Sequence, residues 1–179
     1  MGMPILVGLL LVVVVLGFLI SRQPDTFRVT RTIVTHAQPF AVFSVVSDLQ
    51  RWNEWSPWAK LDPNAKYEFE GPTAGVGAVF KWAGNKNVGE GKMTITETQS
   101  PNLVRTKLEF YKPFKATNDV EFSFRPETSG TLVSWSMYGK NNFISKAMNL
   151  VMNCDKMVGG QFEQGLVSLR AIVEQPPTA

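Results

Sequence analysis

The sequence predicts an α+β fold, a curved antiparallel sheet of about seven strands gripping a long C-terminal helix, preceded by one transmembrane helix. Three observations predict it. Between Ala65 and Met137 apolar residues recur at every second position in runs broken by turn residues, the signature of consecutive antiparallel strands with one buried face. From Phe143 to Glu174 the apolar period changes to that of a helix. Residues 1–21 carry no charged side chain.

The uncharged segment comes first. Ile5 to Ile20 contains only Ile, Leu, Val, Gly and Phe, and a helix of residues 1–21 would rise roughly 30 Å, near the hydrocarbon thickness of a bilayer. No Lys or Arg precedes it, and Leu19 and Ile20 stand where a signal peptidase needs small residues. The expectation is an uncleaved single-pass anchor. Arg22, Arg28 and Arg31 follow it, which orients the folded part toward the cytoplasm by the positive-inside bias. Residues 22–26 form a short linker, 27–174 a single domain and 175–179 a flexible tail.

Phe27 to Thr35 alternates and reads as a strand. Pro39 suits the first turn of a helix whose stripe is Phe40, Phe43, Val46 and Leu49. Trp52 to Trp58 places three tryptophans within seven residues; a second short helix is expected there, stopped at Ser56 because Pro57 disfavours helix in the residue before it. The strands follow: Tyr67 and Phe69; Val76 to Trp82; Met93 and Ile95; Leu108 and Phe110; Val120 to Phe124; Val133 to Met137. One face of this sheet is apolar and the other charged. The last helix carries Ile144, Met148, Val151, Val158, Phe162 and Leu166 on one side.

Composition excludes several chemistries. His36 and Cys154 are the only residues of their kinds, so no intrachain disulfide exists and the usual zinc ligand set cannot be assembled. A net charge of +3, with Lys and Arg interspersed among Asp and Glu, supplies no basic stripe for nucleic acid. Gly75-Val76-Gly77 lacks the following helix that a dinucleotide site needs, and no Walker loop or nucleophile elbow is present. Neither cofactor nor metal is expected.

What remains is apolar surface. Trp82, Phe110, Phe122, Trp135 and Met137 point by alternation to the helix-facing side of the sheet. Together with Trp55, Trp58, Phe162 and Met148 they either fill a core or line a cleft. Asp155 falls within the helical stripe, about 40° from Val151 and about 20° from Phe162 on an unbroken helix. A carboxylate there needs a partner or a polar pocket, so it either ties down a loop or contacts a ligand. Gly159, Gly160 and Gly165 weaken the same helix by about 1 kcal/mol each relative to alanine, which suggests a close sheet contact or room for a ligand.

Pro39-Phe40-Ala41-Val42-Phe43-Ser44-Val45-Val46-Ser47-Asp48, followed by Arg51-Trp52-Asn53-Glu54-Trp55-Ser56-Pro57-Trp58, resembles the polyketide cyclase/dehydrase-like branch of the START-type helix-grip superfamily (SRPBCC). Gly75-Val76-Gly77 before a strand and the closing Phe162-Glu163-Gln164-Gly165-Leu166 share the resemblance, which covers roughly Phe27 to Val173. It implies a hydrophobic molecule held between sheet and C-terminal helix. Relatives include lipid carriers, aromatic cyclases and ligand sensors, with no universal catalytic motif, so it assigns no catalytic residue. The apolar N-terminal segment departs from the soluble cyclases.

The leading expectation is a membrane-anchored, cofactor-independent binding domain for a lipid-like, isoprenoid or aromatic molecule, with Asp155 as its polar contact. The enzymatic alternative is a cofactor-free cyclase or dehydratase in which Asp155, helped by Glu70 or Tyr67, moves a proton. The third reading, a protein-interaction module with a filled core, requires a solvent-exposed Trp52–Trp58 patch.

Overall fold

The computed structural model describes residues 2–151 and 154–175. Helix α1 (Gly2–Ser21) precedes strand β1 (Thr26–Thr35), and helix α2 (Pro39–Val46) and the single turn α3 (Trp52–Trp55) follow. Six strands come next: β2 (Lys66–Glu70), β3 (Val79–Ala83), β4 (Glu90–Gln99), β5 (Leu103–Lys112), β6 (Ala116–Glu127) and β7 (Gly130–Lys140). Helices α4 (Phe143–Val151) and α5 (Cys154–Val173) close the chain. The expected tail lies, beyond Gln175, outside the described residues.

The strands form one antiparallel sheet in the order β1-β7-β6-β5-β4-β3-β2. Sequential hairpins lay down β2 to β7 in turn, and β1 returns to pair with β7, Val29 opposite Met137 and Ile33 opposite Val133. Register shifts in β4 at Glu90/Gly91 and Ile95/Glu97 are bulges, which bend a sheet. On the outer face, cross-strand neighbours carry opposite charges: Lys92 faces Glu109 and Arg105 faces Glu121, at 3.2 and 2.8 Å. On the inner face Ile95, Val104, Phe122, Phe124 and Val133 are all buried beneath α2 and α5.

Local signals account for the helical caps. Pro39 occupies the first turn of α2. The Asp48 carboxylate accepts the Gln50 N–H at 3.0 Å and starts a 3-10 turn, Leu49–Arg51. Ser56 is extended at φ −63°, ψ 127°, as the residue before a proline prefers, so α3 ends there and Pro57 opens a second 3-10 turn, Pro57–Lys60.

One expectation is corrected. Among the described residues no helix is long and apolar enough to cross a membrane, which overturns the anchor, the single-pass localisation and the cytoplasmic orientation. The C-terminal helical part is described as α4, to Val151, and α5, from Cys154. Lys146 of α4 pairs with Asp25 just before β1, whereas α5 packs along β1 and the inner face of β7.

Candidate functional site

The Trp52–Trp58 segment is not a surface patch. Trp55 is 2 % exposed, and Trp52 and Trp58 are half-buried against the core. All three surround Trp135 of β7, with ring centroids 5.8, 5.5 and 6.0 Å away. Phe162 of α5 stacks on Trp135 at 4.1 Å and 9°, and Phe122 lies 4.9 Å to its side. Trp135 is therefore where sheet, tryptophan segment and C-terminal helix meet. Gly165 makes the meeting possible: a Cβ there would stand 2.7 Å from Trp135 Cζ3 and 3.2 Å from Pro57 Cδ.

Beside this cluster the sheet and α5 do not close. A cavity of about 270 Å³ remains between them. One wall is Phe80 and Trp82 of β3, Met93 of β4, and Leu108 and Phe110 of β5; the other is Trp52, Trp58, Val158 and Phe162, with Val120, Trp135 and Met137 between. Tyr67 also lines it; burial first, then the neighbouring Asp62 charge, pushes its phenol pKa up, so the hydroxyl keeps its proton at neutral pH. At the exposed end stand Lys86, Asn87 and Lys112. The Trp82 indole N–H donates to the Val88 carbonyl at 3.2 Å, fixing that ring against the β3–β4 turn.

Two polar groups in the lining are unusual. The Ser56 hydroxyl and the Trp135 indole N–H are buried and have no hydrogen-bond partner among the described residues. An unpaired buried donor costs about 1–3 kcal/mol; the Trp55 indole N–H and the Thr106 hydroxyl, outside the lining, are buried in the same way.

Of the residues singled out by sequence, Trp58, Trp82, Phe110, Trp135, Met137 and Phe162 come together in this lining. Trp55 and Phe122 sit in the aromatic cluster rather than in the lining. Met148 and Asp155 line an adjoining, more polar groove of about 1210 Å³ between α4, the start of α5 and strands β1, β5 and β6, which shares Phe110, Met137 and Val158 with the cavity. The groove is larger and more open to solvent, so the smaller, more apolar cavity is the better candidate for a hydrophobic molecule. Glu70 pairs with Lys81 on the outer face at 2.5 Å.

Asp155 binds Arg31 of β1 at 3.0 Å, and Arg31 also holds Glu163 at 2.7 Å and donates to the Asp155 carbonyl at 3.1 Å. A side chain at Gly159 would overlap the Arg31 guanidinium, so this glycine admits the arginine against α5. Arg31 was the missed partner, and a signal for it existed: it shares the period-two phase of Val29 and Ile33, which puts a cation on the inner face of an edge strand. Lys86, Lys112 and Ser56 were also missed, because polar residues in turns read as solvated surface. Among the described residues no cluster of His, Cys, Asp and Glu is placed to hold a metal.

Residues 26–174 match the family described as "Polyketide cyclase / dehydrase and lipid transport". The chain belongs to that family. Among solved structures it is similar to protein CV1439 from Chromobacterium violaceum (17 % identity, 86 % of this chain and 99 % of that one, TM-score 0.60). It is also similar to the Aha1 dimer from Colwellia psychrerythraea (13 %, 85 % and 99 %, TM-score 0.57). A third similar structure is the di-domain ARO/CYC BexL from the BE-7585A biosynthetic pathway (15 % identity, 89 % of this chain and 53 % of that one, TM-score 0.61). At such identities the likeness is one of fold. None of the curated proteins matches this sequence.

Proposed function

We propose that this member of the polyketide cyclase/dehydrase and lipid transport family binds one compact hydrophobic molecule, aromatic or isoprenoid-like, between its sheet and helix α5. The observation that supports this reading is the 270 Å³ cavity with its almost wholly apolar, aromatic lining. Trp58, Trp82, Phe110, Trp135 and Phe162 make the walls.

Native mass spectrometry of the full chain purified from cells tests it. A bound mass of a few hundred daltons, or its uptake from a hydrophobic extract, is expected; a bare chain that takes up nothing would overturn the reading.

A cyclase or dehydratase is the second reading, favoured by one observation: Tyr67 lines the cavity, where its hydroxyl is placed to hydrogen-bond a bound molecule. Loss of turnover in Tyr67→Phe, with ligand affinity retained, is what that reading requires.

A further inference from the structure

Resting on the binding reading above, we propose that the ligand is an anion: a compact apolar body bearing a carboxylate, held at the exposed end of the cavity by Lys86 and, with it, Lys112. The polar groups around the cavity are unbalanced. Two ammonium groups belong to its lining and no Asp or Glu does. Two carboxylates stand close behind the lining, and both are engaged. Asp62 accepts the backbone N–H groups of Asn64 at 3.0 Å and Asn85 at 2.6 Å. Glu90 pairs with Lys112 at 2.6 Å. Lys86 makes no ion pair among the described residues, so its charge is available to an incoming anion.

The turn that carries Lys86 is built rather than loose. Asp62 fixes Asn85, the Asn85 side-chain oxygen accepts the Asn87 N–H at 2.8 Å, and the Gly84 N–H donates to the Gly89 carbonyl at 2.8 Å. Binding therefore pays little to order the loop. Lys86 stands unpaired at the mouth among the described residues while Glu90 is engaged by Lys112, so the mouth discriminates by charge: an ammonium ligand meets repulsion and an anion meets a partner.

Isothermal titration calorimetry of the full chain separates the possibilities with three probes sharing one apolar body: 2-naphthoate, 2-naphthylmethanol and 2-naphthylmethylammonium. The naphthoate should bind about fivefold tighter than the alcohol, the scale of partly exposed ion pairing, with the ammonium weakest, and added salt should weaken the naphthoate alone. In the double variant Lys86→Gln, Lys112→Gln the preference should vanish while the alcohol binds as before. Lys66→Gln, exposed on β2 and outside the lining, should keep it. Equal affinities for the three probes, a preference for the ammonium, or a naphthoate preference that survives the double variant would overturn the anion proposal while leaving hydrophobic binding intact. Failure of all three probes to bind would overturn both.

Discussion

Gly165 and Gly160 lie five residues apart on α5, and replacing each by alanine opposes packing to helix propensity. At Gly165 the new Cβ would stand 2.7 Å from Trp135 Cζ3 and 3.2 Å from Pro57 Cδ. Carbon atoms rest about 3.5–4.0 Å apart, so the indole must retreat by roughly 1 Å. It has nowhere easy to go: Phe162 stacks on it at 4.1 Å, and Phe122 and Trp55 lie 4.9 and 5.5 Å away. Overpacking of this kind costs about 1–3 kcal/mol, against a gain of about 1 kcal/mol for removing a mid-helix glycine. The net is a loss of up to about 2 kcal/mol, or a Tm lowered by as much as about 8 °C in a chain of this size. At Gly160 nothing lies within 4 Å of the added carbon, so only the gain remains and Tm should rise by about 2–4 °C. Thermal unfolding followed by circular dichroism reads both. If Gly165→Ala raised Tm as much as Gly160→Ala, the contact between helix and Trp135 would not be as tight as described.

Three other outcomes are expected. Ser56→Ala removes a buried hydroxyl without a partner and should leave the ligand-free protein unchanged or about 1 kcal/mol more stable by urea unfolding; a loss above that would mean the hydroxyl has a partner. Phe162→Ala empties a site only 2 % exposed and should cost about 3–5 kcal/mol, measured in the same way; a cost below about 1 kcal/mol would remove the stack as the main tie between α5 and the sheet. Glu174 accepts the His36 backbone N–H and the Thr35 hydroxyl, both at 2.8 Å, and these bonds, the backbone one first, hold its pKa below the ordinary 4.5. A depressed carboxylate adds stability above its unfolded pKa and loses it as pH falls through the folded one. Glu174→Gln should therefore flatten the stability–pH curve below about pH 4.5, and an unchanged acid limb in urea titrations would contradict this.

The sheet was legible because each strand alternates cleanly and turn residues separate the runs. So was the short tryptophan helix, through the constraint of Pro57 on Ser56. Helical phase put Asp155 within the apolar stripe, yet its carboxylate is largely exposed and held by Arg31 of β1, a partner far away in sequence that periodicity along one helix does not show. Alternation also gives a side chain's face but not its depth along the sheet. Trp135 and Phe122 share a face and oppose one another across β6 and β7, yet only Trp135 reaches the cavity.

The account depends on the cavity being the place where a molecule binds, and filling it is the direct test. Leu108 is half-buried in the lining, and Leu108→Trp places an indole in the space. The dissociation constant of 2-naphthylmethanol should rise at least about tenfold in the variant, a change of about 1.4 kcal/mol, with Tm held within a few degrees of the parent. Unchanged affinity in a variant that folds as the parent does would contradict the account.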